Sequence, residues 1–268
     1  MKKTIFSITL LLYSTILTSN LLAAENYSLI GNLKEDFTYT ATSPSRMDKK
    51  STRVTLGLLG IGAFLYSQDE KIRDYFQDHK TSTLDNLSPV AVKFGDGLYD
   101  LGFIVIYGGS GYLIENKKMQ KTSILSFESF IVANTFGIAA KVGIGRARPY
   151  TEERSGSYTP FSTDSAHTAM PSGHTTSAFS IASVFADEYD NNPVVGVAAY
   201  GLASMVALER IYEDAHWASD VFAGAVIGTV VGKSIVYLHK GKKMENSYLV
   251  PVSVPSEGRY GMMAVVRF

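Results

Sequence analysis

The chain has 268 residues, with 25 Lys and Arg balanced by 25 Asp and Glu for a formal net charge of zero. That balance leaves no basic footprint for nucleic acid, and the length suits one substantial core. The absence of cysteine excludes disulfides and thiolate metal sites but leaves the compartment open.

The N-terminus speaks to compartment. Lys2 and Lys3 precede an apolar run from Ile5 to Leu17 and a small-residue exit near Ala23 and Ala24. This reads as a secretory signal peptide over residues 1–24 and predicts a periplasmic protein. An uncleaved anchor stays open, because Leu21 or Leu22 at the −3 position is imperfect for cleavage. Residues 25–52 are polar and mixed, without a clear period, and are expected to form an N-terminal arm lying over the domain.

Helical candidates then follow at Arg53 to Tyr66, Leu87 to Tyr99, Leu101 to Glu115, Ser123 to Ile144, Thr175 to Glu188, Pro193 to Tyr212 and His216 to His239. Asn191 and Asn192 break the chain before Pro193, which suits a helix start. The Ser/Thr/Pro-rich stretch from Arg146 to Met170 is expected to be a long loop and a candidate lid. Gly224, Gly228 and Gly232 share one helical face and permit close helix approach, more in keeping with internal packing than with a dimer seam. At the C-terminus, Tyr248 to Val254 and Tyr260 to Phe268 flank Pro255 to Gly258 and read as a β-hairpin over 241–268 that caps the bundle. The predicted fold class is all-α, a bundle of about six core helices over 53–240 plus that hairpin.

The apolar runs are short. Pro193 to Leu208 is the longest and falls below the roughly 18–20 residues of a membrane span. Asp100, Glu128 and Lys233 interrupt the others. A compact periplasmic domain touching a membrane surface is therefore expected, with a membrane-embedded domain as the alternative.

Three separated stretches carry chemistry. In Arg210 to Asp220, His216 and Asp220 are four apart, so on a helix they share a face. A carboxylate there can accept the Nδ1 proton, fix the tautomer and leave Nε2 as a nucleophile. Arg210 can fork onto phosphate oxygens, with Glu213 and Asp214 as intervening loop or cap residues. The bland alternative is a surface His–Asp pair beside an unrelated arginine. In Pro171 to His174, Pro-Ser-Gly marks a helix N-terminus, whose unpaired N–H groups favour an anion. Ser172 adds a hydroxyl, Gly173 allows close backbone approach, and His174 can donate a proton to a leaving oxygen. A plain Ser cap followed by an ordinary histidine is the competing reading. In Lys141 to Pro149, Arg148 precedes proline and is biased towards extended backbone, so Lys141 and Arg148 could turn inward from a helix end. Arg146 competes with Arg148 for that role and is expected to be solvated. His167 is expected to be a loop residue.

Set side by side, these segments resemble the type 2 phosphatidic acid phosphatase (PAP2) family, which shares its site with bacterial class A acid phosphatases and vanadium haloperoxidases. The match includes Lys141, Arg148, Pro149, Pro171 to His174, Arg210, His216 and Asp220, between Leu84 and His239. It departs at Glu209, where the family usually has Ser. The resemblance implies that His216 attacks phosphorus to form a phosphohistidine, that Asp220 orients it, and that His174 protonates the leaving alcohol and then activates water. It implies that Lys141, Arg148, Ser172, the Gly173 amide and Arg210 hold the non-bridging oxygens. No metal or cofactor is implied, and the five histidines lack zinc-like spacing. The expected substrate is a phosphomonoester or a lipid (di)phosphate. A vanadium haloperoxidase and a non-catalytic phosphate-binding envelope protein are the alternatives; the short chain argues against the first, and an intact His174, His216 and Asp220 against the second.

Overall fold

The computed structural model describes residues 29–240 and the backbone of 248–254 and 259–265. The segment 1–24 expected to be a signal peptide, the turn between the C-terminal strands and Phe268 lie outside the described residues. The described domain is all-helical: α1 (Leu29–Ala41), α2 (Lys49–Asp78), α3 (Ser82–Ala91), α4 (Gly97–Leu113), α5 (Lys117–Ile144), α6 (Gly173–Glu188), α7 (Pro193–Tyr212) and α8 (Ala218–Leu238). In the backbone, β1 (Tyr248–Val254) runs antiparallel to β2 (Arg259–Val265), with Tyr248 opposite Val265.

Local chemistry sets most boundaries. Asp48 accepts from Ser51 N to start α2, Thr81 from Leu84 N to start α3, and Asn116 from Met119 N to start α5. Side-chain oxygens at these positions satisfy amides that have no partner within the helix. Gly145 ends α5 in the left-handed region, φ 63°, and a Cβ there would lie 1.8 Å from Thr159 O. Only glycine fits that turn.

The structure corrects several sequence expectations. The supposed arm contains α1, whose Leu33 and Phe37 pack against the buried cluster of Leu125, Val132 and Ile235. Burial holds this helix, and its inward face also carries Asp36, which obscured the period. The helix expected to stop at Tyr66 continues to Asp78, because Ile72 and Phe76 pack against the buried cluster of Ala207, Ile211 and Val221 while Asp69 and Arg73 pair with Arg146 and Asp214. The helix expected over Leu87 to Tyr99 breaks at Gly95, where Asp96 caps α4. A Cβ at Gly95 would lie 2.6 Å from His174 O, so glycine is required where the short turn after α3 meets the site.

α6 forms the centre, packed against α5, α7 and α8. Its buried residues include Thr175, Thr176, Ser177, Ala178, Ser180, Ala182 and Ser183. Across from them run the glycines of α8. A Cβ at Gly224 would lie 2.6 Å from Ser172 O, at Gly228 2.5 Å from Thr176 O, and at Gly232 2.0 Å from Ser183 Oγ. The stripe is therefore an internal seam that lets two backbones touch. It fixes the start of α8 beside the start of α6.

Among the described residues three helices, α5, α7 and α8, are long and apolar enough to cross a membrane. This departs from the expectation that every apolar run is too short. Glu128 does not interrupt α5, because its side chain is fully buried within the bundle, and Lys233 on α8 pairs with Asp187 at 2.5 Å. Outward faces of α2, α4 and α7 display Leu59, Phe64, Leu98, Ile106, Val197 and Leu208 to the surroundings.

Candidate active site

The three chemical stretches meet at one end of the bundle, where α5 and α7 finish and α6 and α8 begin. Lys141 stands in the last turn of α5 and donates Nζ–H to Thr168 O at 2.7 Å. After Gly145 the chain turns back as the expected loop, tied by Ala147 N to Ser157 O, Arg148 N to Ala166 O and Ala169 N to Arg146 O. Arg148 has extended backbone at its proline junction. Its guanidinium donates to Ser165 O at 2.8 Å and Ala215 O at 3.2 Å, and Nη1 stands 3.3 Å from His216 Nε2.

Ser172 occupies the N-cap position of α6, so Gly173 and His174 are its first two residues. Ser172 is fully buried, and its N–H donates to Asp220 O at 2.9 Å. This bond ties the start of α6 to the first turn of α8. A Cβ at Gly173 would meet only Lys141 Cε at 3.6 Å, ordinary contact, so the scaffold does not itself demand glycine there. His174 is pushed down to about 4, first by burial and then by Arg210, with Arg148 and Lys141 adding to the depression and Asp96 opposing it.

His216 is 2% exposed and lies two residues before α8. The sequence expectation of a shared helical face therefore fails: Trp217 is the N-cap and Asp220 belongs to the first turn. His216 Nδ1 is 3.8 Å from Asp220 Oδ2, beyond hydrogen-bond reach, and has no partner among the described residues. Asp220 instead accepts from Trp217 N at 2.9 Å and from Arg146 Nη1 at 2.6 Å. Burial holds His216 well below its ordinary value, and the charges of Lys141, Arg148 and Arg210 press in the same direction. Both imidazoles thus feel the same three cations.

Arg146 overturns its expectation of solvation. It is fully buried, donating to Asp220, to Ser219 Oγ at 2.7 Å, to Asp69 Oδ2 at 2.7 Å and to Ser155 O at 2.8 Å. Asp69 on α2 also accepts from Ser219 N at 2.9 Å. The guanidinium lies over the Trp217 and Tyr66 rings. Two carboxylates answer one cation, which makes its burial tolerable. Asp69 went unnoticed in the sequence, since it sits in a charged helical stretch remote from every motif.

Arg210, in the last turn of α7, donates Nε–H to Glu209 Oε2 at 2.5 Å and Nη2–H to Glu209 Oε1. Glu209 also accepts from Ser88 Oγ at 2.9 Å. The one departure from the family pattern thus places a carboxylate directly on a candidate phosphate-binding cation. His167 lies in the loop, 3.2 Å from Glu153, away from these contacts.

Along α6 beyond His174, Ala178, Ile181 and Phe185 line a cavity of about 620 Å³ closed by Phe94, Phe103 and Leu202. Its walls are mostly apolar, with Lys93 and Asp100 also on the lining, and Ala178 lies one turn from His174.

Residues 123–244 match the profile of the PAP2 superfamily. A Lipid A 1-phosphatase of Porphyromonas gingivalis is 38% identical over 189 residues, covering 69% of this chain and 38% of that protein. A Lipid A 1-phosphatase of Rhizobium johnstonii is 31% identical over 157 residues, covering 53% of this chain and 63% of the relative. The chain spans less than two thirds of the length of either. Among solved structures, the transmembrane PAP2 type phosphatidylglycerolphosphate phosphatase of Bacillus subtilis aligns with a TM-score of 0.56 at 20% identity, over 70% of this chain and 96% of its own. LpxE of Aquifex aeolicus aligns with a TM-score of 0.51 at 19% identity, over 63% and 94%. At these identities the likeness concerns the fold.

Proposed function

The chain belongs to the PAP2 superfamily, and from that premise we propose that it hydrolyses a membrane lipid phosphate by phosphoryl transfer through His216, without a metal at the phosphate. The observation that carries this reading is the convergence of Lys141, Arg148 and Arg210 with His174 and His216 where α5 and α7 end and α6 and α8 begin, Arg148 Nη1 standing 3.3 Å from His216 Nε2. A neutral His216 keeps its Nε2 lone pair for phosphorus. As the Nε2–P bond forms, the P–O bond to the lipid breaks and the leaving oxygen takes a proton from His174. Water then attacks phosphorus, His174 takes back a proton, and the P–N bond breaks to release phosphate.

Charge spreads over the equatorial phosphoryl oxygens during transfer, so fixed cations supply the largest stabilisation. Lys141, Arg148, Arg210, Ser172 and the Gly173 amide take that role. Burial and the three cations favour the neutral form of His174. A bound phosphate dianion offsets the three cations, raises the imidazole and readies it as an acid. As charge develops on His216, Nδ1 closes on Asp220, which Arg146 holds in place.

The substrate reading rests on the surroundings. Helices α5, α7 and α8 are long and apolar enough to serve as spans, which supports a site at a membrane face, and the cavity lined by Ala178, one turn from His174, suits an acyl chain. The two curated relatives point to lipid A 1-phosphate as the first substrate to test. Purified protein in detergent is expected to release phosphate from it, to keep its rate in EDTA and to lose it with vanadate. His216→Ala is expected to retain the fold and lose turnover. Retention of more than about a hundredth of parental kcat would remove His216 as the nucleophile.

A further inference from the structure

At a distance from the phosphate pocket, three ligating side chains from separate parts of the chain meet in full burial. Asp36 comes from α1, Glu128 from the middle of α5 and His239 from the residue that caps α8; all three are 0% exposed. One ligand atom of each lies within 4.8 Å of the others. His239 Nε2 is 2.9 Å from Asp36 Oδ1 and 3.8 Å from Glu128 Oε2. Asn32, one turn before Asp36 on α1, donates to Glu128 Oε1 at 3.2 Å. By helical rise the cluster is about 20 Å from Lys141 along α5 and about 28 Å from Asp220 along α8, too far to touch the reacting phosphate.

One buried atom of this cluster, Asp36 Oδ2, has no hydrogen-bond partner among the described residues. An unanswered buried polar atom is costly, more so on a group that carries charge. The surroundings make that cost plain, since Leu33, Phe37, Leu125, Val132 and Ile235 form the adjoining apolar cluster. Apolar packing alone would be better served by leucine at each of the three positions.

We propose that Asp36, Glu128 and His239 bind a divalent transition-metal ion of the zinc class, which staples α1 onto α5 and α8. One imidazole with two carboxylates is a donor set that such ions accept, at about 2.0–2.2 Å per bond. Ligand atoms on one ion then stand about 3–3.6 Å apart, so the widest pair has to close by about an ångström. The ion replaces the proton that joins His239 Nε2 to Asp36, so uptake releases a proton and weakens as pH falls. Asn32 stays as the donor that orients Glu128. The site is structural, and it does not depend on the phosphatase reading.

The test uses the full chain in detergent, stripped with EDTA, exposed to Co²⁺ or Zn²⁺ and desalted. One equivalent should remain, with the visible absorption of low-coordinate Co²⁺, and Zn²⁺ should bleach that colour. His216→Ala should retain the ion equally well, which separates this site from the phosphate pocket. Asp36→Asn and His239→Gln should lose the ion and the rise of several degrees in Tm that Zn²⁺ gives the parent. If these variants fail to fold, protease sensitivity of α1 in the parent, high after EDTA and restored to protection by Zn²⁺, decides the matter. Substoichiometric metal in the parent, or equal retention by folded Asp36→Asn and His239→Gln, would overturn the site.

Discussion

Arg146 Nη1 lies 2.6 Å from Asp220 Oδ1, with both side chains wholly removed from solvent. The residue behind the family carboxylate is thus a cation, itself held by Asp69 on a different helix. This arrangement keeps Asp220 aimed. Asp69→Asn is expected to leave KM nearly unchanged and lower kcat by about tenfold or more, with a shifted pH profile, because Arg146 would then draw on Asp220 alone. Arg146→Ala should cost about 3–5 kcal/mol of stability by stranding two buried acids. A stability loss in Asp69→Asn with an unchanged pH profile would reduce the network to scaffolding.

Glu209 engages two nitrogens of Arg210, which leaves that cation partly neutralised. Glu209→Ser restores the usual family residue and frees the fork for phosphate. Inorganic phosphate or vanadate should then inhibit severalfold more tightly, as measured by competitive Ki. Weaker inhibition would show that Glu209 orients Arg210 instead of competing with the ligand.

His174 and His216 both titrate below their unfolded value of about 6.5. Below that pH the unfolded chain takes up protons that the folded chain refuses, so stability contributed by neutral imidazoles is full above pH 6.5. It falls as the pH drops towards about 4, where His174 titrates in the fold. Denaturation of ligand-free protein between pH 7 and pH 5 should show this slope, and His174→Asn should make it shallower. If a bound anion offsets the three cations on His174, as the proposed mechanism requires, anion affinity should tighten on acidification over the same range. A tungstate affinity independent of pH would argue against that coupling.

The α6–α8 seam gives a stability contrast. Gly228→Ala places a methyl 2.5 Å from Thr176 O and should destabilise by about 1–3 kcal/mol or more. A Cβ at Gly57 meets nothing within 4 Å, so Gly57→Ala should stabilise α2 by about 0.5–1 kcal/mol. Chemical denaturation in one detergent compares the two.

Much of the site was legible because its chemistry is written in short spacings: Pro149 forces Arg148 extended, and Ser172 with Gly173 opens a helix. What escaped was decided by partners remote in sequence. Arg146 looks like a surface cation until Asp69, on another helix, meets it. Similarly, His216 and Asp220 carry helical spacing, yet Trp217 starts the helix between them, and the spacing could not reveal that. Asp36, Glu128 and His239 form no motif because each comes from a different part of the chain. Glu128 also hid the span-like length of α5, since a charge facing the interior reads the same in a sequence as one facing lipid.

Ser172 N–H reaches the carbonyl of Asp220, and Arg146 reaches its carboxylate. One late residue therefore receives the anchors of both earlier motifs. A nascent chain that has emerged only as far as His174 holds Lys141, Arg148 and one imidazole without Asp220 to join the two motifs. Catalytic competence should appear abruptly once α8 docks, so products of premature termination would be inert and would hold no partly working pocket.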